Sequence, residues 1–202
     1  LYSTGIGFER RKVISSRRPF ILSGPFAPTH KKNRMRHEGD VAGARKRFLE
    51  KRHRNLDALI RQRYTWMNSY IGANDKVVEL GYGSGFSRLY LDQGNLLLTD
   101  YIKNDWVDLE VDAMNPPFEP GSVDVFICSH MVHHMAKPVT FFKKVHPMLR
   151  DGGRILIQEL NTALLLRVLL RLMRHEGWSY DIDVFDETSV TNDPRDPWSE
   201  IG

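Results

Sequence analysis

Apolar positions fall into three regimes along the chain. Between Leu1 and Asp40 no apolar period runs for long, and Gly5, Gly7, Pro19, Gly24, Pro25 and Pro28 interrupt it. That pattern predicts a basic, poorly ordered arm over 1–40. From Val41 the pattern changes: Leu49, Leu56, Ile60, Tyr64, Met67 and Ile71 recur at steps of mostly three, four or seven. This is one face of an amphipathic helix over 41–71. Gly72-Ala73-Asn74-Asp75 reads as its stop.

Beyond Asn74 short apolar runs alternate with helical periods. Lys76–Leu80 reads as a strand, Gly85–Gln93 as a helix stopped by Gly94, and Leu96–Thr99 as a strand ending at Asp100. A short strand is expected within Val107–Val111, and Pro116-Pro117 with Pro120-Gly121 marks a loop. Val123–Cys128 is apolar almost throughout, as in strands buried on both faces. Pro138 can open a helix with Phe141, Phe142, Val145, Met148 and Leu149 on its core side, ended by Asp151-Gly152-Gly153. Ile155–Ile157 is the next strand, Asn161–Gly177 a leucine-rich helix, and Trp178–Gly202 an acidic irregular tail. Strand–helix–strand repetition with short connections predicts an α/β, Rossmann-like, mostly parallel sheet with flanking helices over 73–177. The basic segment 41–72 precedes it.

Composition narrows the picture. At 202 residues and 23.4 kDa, the chain suits one domain with an appendage. The longest apolar run, Ala163–Met173, carries Arg167 and is far short of the roughly 20 residues a membrane span needs. Cys128 is the one cysteine, so neither an intrachain disulfide nor a Cys/His zinc pattern is available, and no metal site is expected. With no apolar signal core at the start, a reducing cytoplasm is the default compartment. The chain opens on Leu1 rather than Met, as a piece of a longer protein would. Residues 1–70 hold 17 Lys+Arg against 5 Asp+Glu; the remainder holds 12 against 20. The basic part could meet nucleic acid, an anionic membrane surface or an acidic substrate, or be a solvated face and loose arm.

The segment Val77-Val78-Glu79-Leu80-Gly81-Tyr82-Gly83-Ser84-Gly85-Phe86 runs from a strand through a glycine loop into a helix. Glycines there permit positive φ and close ligand approach, at the strand's carboxyl end where open α/β sheets bind ligands. The spacing is neither Gly-x-Gly-x-x-Gly, since Phe86 holds the third position, nor a P-loop, since Gly-Lys-Ser/Thr is lacking. Asp100 closes the second strand, 19 residues after Gly81, where a carboxylate can accept ribose hydroxyls. Asp112-Ala113-Met114 follows the short third strand; an acid plus a backbone N–H can read an adenine edge, and Met can cover the ring.

In these residues the chain resembles the class I S-adenosylmethionine-dependent methyltransferases. The likeness runs from Glu79-Leu80-Gly81-Tyr82-Gly83-Ser84-Gly85 through Asp100 and Asp112-Ala113 to Pro117–Val125, then Ser129–His134 and Leu149–Arg154. It is nearest the small-molecule branch that includes ubiquinone-biosynthesis C-methyltransferases. The resemblance implies S-adenosylmethionine as cofactor: Gly81, Gly83 and Gly85 around its methionine part, Glu79 toward its amino group, and Asp100 on the ribose. Asp112, Ala113 and Met114 would hold the adenine, and Ser129 and His130 would line the methyl-donor end. His133 and His134 stand where a general base for the acceptor would be needed. Segment 41–71 would form a lid over the acceptor, with Arg61, Arg63 and Tyr64 as candidates to touch the cofactor carboxylate or an acidic acceptor.

Two departures matter. The family's sheet ends in a strand pair after the fifth strand, and no such pair is legible after Leu160. Nor does the Asn/Asp-Pro-Pro-Tyr/Phe tetrad of N6-adenine and amide methylation follow the fourth strand; Asn115-Pro116-Pro117-Phe118 precedes it. The expected function is methyl transfer to a small-molecule acceptor, lipid-linked acceptors included. The alternatives are an RNA or nucleic-acid methyltransferase using the basic arm, or a truncated, non-catalytic cofactor-binding or partner chain.

Overall fold

The strands Lys76–Leu80 and Val123–Ser129 carry apolar side chains on both faces, and their position inside the sheet follows from that. In the computed structural model, which describes residues 41–92, 95–135, 137–159, 163–166, 168 and 185, five strands form one sheet. They are β1 (Lys76–Leu80), β2 (Asn95–Asp100), β3 (Leu109–Glu110), β4 (Val123–Ser129) and β5 (Leu149–Gln158). Their order is β3-β2-β1-β4-β5 and every pairing is parallel. Val77 on β1 and Val125 and Ile127 on β4 face one core, with Leu156 of β5. Val78 and Leu80 on β1 and Phe126 and Cys128 on β4 face the other. A strand covered on both faces has no polar face to alternate with, which is why these runs read as continuously apolar.

Helices α1 (Val41–Lys51) and α2 (Arg54–Thr65), then a 3₁₀ turn Trp66–Tyr70, cover the first core. Phe48, Ile60, Tyr64, Met67 and Ile71 are buried there with Val77 and Tyr90. The opposite core is covered by α3 (Pro138–Val145), through Phe141 and Val145.

The structure corrects the expected elements at three places. The single helix over 41–71 is broken at Arg52-His53, where Arg52 adopts φ 42°. Its Nε donates to Asp57 Oδ1 at 2.7 Å and its guanidinium lies 5.7 Å from the Tyr90 ring centre, so side-chain contacts hold the break. The break turns Phe48 inward and leaves Leu49 and Leu56 exposed, against the expected stripe. The expected helix Gly85–Gln93 is one 3₁₀ turn, Ser87–Leu89. Its ends are tied elsewhere: Ser87 donates to Glu79, and Asn68 Nδ2 donates to Tyr90 O at 2.9 Å and to Asp92 Oδ2 at 3.0 Å. The helix from Pro138 ends at Val145, passing into a 3₁₀ turn at His146–Met148, because Pro147 has no N–H for a continuing ladder. Asp151-Gly152-Gly153 then lies inside β5, beside a register irregularity opposite Val123–Val125.

The expected arm over 1–40 and tail over 178–202 lie outside the described residues, apart from Phe185, as does most of the expected helix 161–177. Among the described residues β5 pairs with β4 alone, and no helix is long and apolar enough to cross a membrane.

Candidate functional site

The strand order brings five sequence-distant segments to one edge. Proceeding along the carboxyl ends from β3 to β5, the residues met are Asp112, Asp100, the Gly81–Gly85 loop, Ser129–His130 and Glu159. In an open parallel α/β sheet this edge is where ligands bind.

The glycine loop is tightly held. Tyr82 N–H donates to Thr99 O at 2.9 Å, anchoring the loop to β2. The Tyr82 hydroxyl donates to Gly85 O, and burial, then the nearby Glu79 carboxylate, pushes that phenol up to about 12. Gly81 and Gly83 adopt φ 70° and 52°, in the left-handed region that penalises other residues. The reason for glycine differs between them. A Cβ on Gly81 would lie 2.6 Å from Met131 Cγ, whereas a Cβ on Gly83 would meet nothing within 4 Å. Gly81 is therefore required by packing, while Gly83 faces open space at the ligand edge.

Asp100 supports that loop directly. Its Oδ2 accepts from Gly83 N–H at 2.6 Å and its Oδ1 from Ile102 N–H at 3.0 Å. Each carboxylate oxygen still has a further lone pair. Asp112 closes an Asx-type turn: Oδ1 accepts from Met114 N–H at 2.8 Å and Oδ2 from Asn115 Nδ2 at 2.9 Å. Ala113 and Met114 are half-buried against the second core. The Met114 N–H is thus engaged by Asp112 itself.

Glu79 is fully buried beneath the loop. Ser87 Oγ donates to one carboxyl oxygen, and the other, Oε1, makes no hydrogen bond among the described residues. Burial raises this carboxyl to about 8, against the lowering influence of Ser87 and of Tyr64. Tyr64, buried on α2, faces the same carboxyl, and its phenol is itself pushed up by burial and by the Glu79 charge. Of the three α2 candidates Tyr64 is thus drawn to the site. Arg61 instead lies 5.3 Å from the Tyr90 ring centre and 3.7 Å from Asp57 Oδ2.

Ser129, the last residue of β4, is buried, and His130 just past it has φ 54°, an uncommon conformation for a non-glycine residue. His130 N–H donates to Gln158 O at 2.7 Å. The next turn, Val132–His134, sets His133 Nδ1 at 2.5 Å from Glu159 Oε2. The side chain of His134 lies outside the described residues.

Four participants, Arg45, Trp106, Phe48 and Glu159, were not legible in the sequence. Arg45, one of a crowd of basic residues, donates from Nη1 to Ser84 O at 2.8 Å and Gly85 O at 2.5 Å. Its guanidinium lies 5.1 Å from the Trp106 ring centre, and Trp106 Nε1 donates to Gly83 O at 3.0 Å. Phe48 packs on Phe86 at 4.4 Å between ring centres. Helix α1 and the β2–β3 connection thus clasp the glycine loop, beside a groove of about 400 Å³ lined by Ala42, Arg45, Lys46, Leu49, Glu50 and Trp106. Only Arg45's place on the basic helix was visible beforehand. Glu159, the fourth participant, had no motif to mark it.

Residues 78–157, from β1 to β5, match a family model described as a methyltransferase domain. Among solved structures the chain is similar to the trans-methyltransferase CalH in complex with SAH: 21% identity, 58% of this chain and 44% of that one, TM-score 0.41. It is also similar to a putative methyltransferase from Bacillus halodurans (18% identity, 46% and 43% covered, TM-score 0.36). A third similarity is to the [4+2]-cyclase SpnF (18% identity, 52% and 44% covered, TM-score 0.40). The chain spans less than half the length of each of these three. No curated protein matches it.

Proposed function

We propose that the chain is an S-adenosylmethionine-dependent methyltransferase acting on a small-molecule acceptor. The observation that carries this reading is the loop Gly81–Gly85, braced by Asp100 at Gly83 N–H and open in front of Gly83, inside the segment that matches the methyltransferase domain.

The residues present fit that cofactor. The Glu79 carboxyl keeps one buried oxygen without a hydrogen bond among the described residues, a suitable partner for an amino-acid ammonium acting from beneath the loop. Gly81, Gly83 and Gly85 would wrap the methionine part, and Asp100 would take the ribose through its remaining lone pairs. Asp112, Ala113 and Met114 would border the adenine, and Ser129 and His130 the methyl-donor end. When bound, S-adenosylmethionine supplies a methyl group already activated on a sulfonium. The protein's task is therefore to align the acceptor in line with it and exclude water. The packing of Phe48 and Arg45 over the loop supports a covering role for α1. His133 would take a proton from the acceptor where one must leave.

Several basic side chains of α1 and α2 have partners within the fold, those of Lys46, Arg52 and Arg61 while remaining largely exposed. Arg45 serves the glycine loop, Lys46 pairs with Glu50, and Arg52 and Arg61 pair with Asp57. The commitment of Arg45 to the Ser84 and Gly85 carbonyls supports a part for α1 in the cofactor site rather than in a phosphate-binding surface. The lipid-linked class would show as flotation with anionic liposomes at low salt.

Titration calorimetry with S-adenosylhomocysteine tests the reading. Saturable binding is expected, lost in Asp100→Ala and absent with NAD. A folded chain that binds neither, or binds NAD instead, would refute it.

A further inference from the structure

We infer that Glu159 is a positioning residue that presents His133 as a proton acceptor, and that the methyl acceptor accordingly brings a nucleophile that must lose a proton: an alcohol, a phenol or an acidic C–H. This rests on the methyltransferase reading above.

The argument begins with the two oxygens of one carboxylate. Oε1 of Glu159 accepts two backbone N–H groups, from Met131 at 3.0 Å and Val132 at 2.7 Å. Oε2 lies 2.5 Å from His133 Nδ1. An ionised carboxylate only accepts hydrogen bonds, so Nδ1 carries the hydrogen and the basic lone pair of the neutral ring sits on Nε2. The carboxylate is kept ionised. Burial acts to raise its pKa, but the hydrogen bonds from His133, Val132 and Met131 prevail and hold it below the usual range.

Placement links the pair to the ligand edge. Met131, two residues before His133, is the side chain against Gly81. His130, with its left-handed φ, ties the same turn to the end of β5 through Gln158. Such a conformation persists only where surrounding contacts over-determine it. The side chains of His133 and Glu159 are 32% and 24% exposed, reachable from the edge yet shielded enough for their hydrogen bond to count.

The step balances without a further reagent. His133 Nε2 takes the proton of the acceptor's O–H or C–H as that atom bonds to the methyl carbon. The electron pair of the broken carbon–sulfur bond stays on sulfur. The resulting imidazolium is stabilised by Glu159 and returns its proton to water.

Glu159→Gln separates positioning from architecture. Its amide oxygen can still accept from Met131 and Val132, but its NH₂ would face Nδ1 and favour the tautomer with hydrogen on Nε2. Long-range ¹H–¹⁵N spectra of the full chain should show His133 with hydrogen on Nδ1 in the wild type and on Nε2 in the variant. S-adenosylhomocysteine affinity should be nearly unchanged, and the melting temperature should fall only modestly, because charge-assisted hydrogen bonds become neutral ones. With methyl-labelled S-adenosylmethionine and a panel of small phenols, alcohols and acidic C–H compounds, kcat should fall about 100- to 10,000-fold with KM held. Glu159→Asp should recover part of that loss. A wild-type tautomer with hydrogen on Nε2, or a flipped variant with full kcat, overturns the inference. So does transfer only to tertiary amines or thioethers, or to nothing in the panel, by a chain that binds S-adenosylhomocysteine. Failure of the wild type to bind S-adenosylhomocysteine refutes the functional reading instead, while the tautomer spectra still report on the Glu159–His133 pair.

Discussion

Replacing Glu79 by Gln should change how stability depends on pH, and the size of the change follows from its surroundings. The carboxyl is fully buried and raised from 4.5 to about 8. A carboxyl whose folded pKa is raised favours folding in its protonated form. Its contribution is therefore complete below the unfolded pKa and declines as pH climbs toward the folded one. With a shift in this direction and of this size, the group should remove a few kcal/mol of stability as the pH rises from about 5 to about 8. Gln has the same shape and no charge to lose: its oxygen can accept from Ser87, and its NH₂ can donate to the Tyr64 hydroxyl. Urea unfolding of both proteins at pH 5, 6, 7 and 8 would measure the difference. Glu79→Gln should be close to wild type at pH 5 and more stable than it by a few kcal/mol at pH 8. Parallel stability curves would refute the reasoning, since they would mean that this carboxyl ionises in the fold as easily as in water.

Two glycine variants should part company. Gly81→Ala places a methyl 2.6 Å from Met131 Cγ as well as at φ 70°, and should cost about 2 kcal/mol or more by thermal melting. Gly83→Ala meets no atom within 4 Å, so it should cost only about 1–2 kcal/mol for its φ yet weaken S-adenosylhomocysteine binding strongly by calorimetry. Arg45→Ala removes two hydrogen bonds from a charged donor to the loop carbonyls, and should weaken the same ligand by about tenfold. Unchanged affinity would mean that α1 merely covers the loop.

What the chain's order alone determined was the central sheet and its glycine edge. β1 and β4 announced themselves because a parallel strand covered on both faces must be apolar almost throughout, and Val77–Leu80 and Val123–Cys128 are. Gly81, Gly83 and Asp100 were legible because backbone conformation and strand-end position are local properties. Segments whose shape depends on distant partners were not. The Ser87–Leu89 turn replaces a helix because Glu79 and Asn68 hold its neighbours. The break at Arg52 is held by Asp57 and Tyr90. Arg45 looked like any solvated cation until α1 was laid on the glycine loop. Glu159 lies 26 residues from His133, at the end of the neighbouring strand, and only the parallel pairing of β4 with β5 brings the two side chains into one hydrogen bond. Local periodicity encodes which residues are apolar and where the backbone turns, whereas hydrogen bonds between strand ends depend on register, which exists only once the sheet has formed.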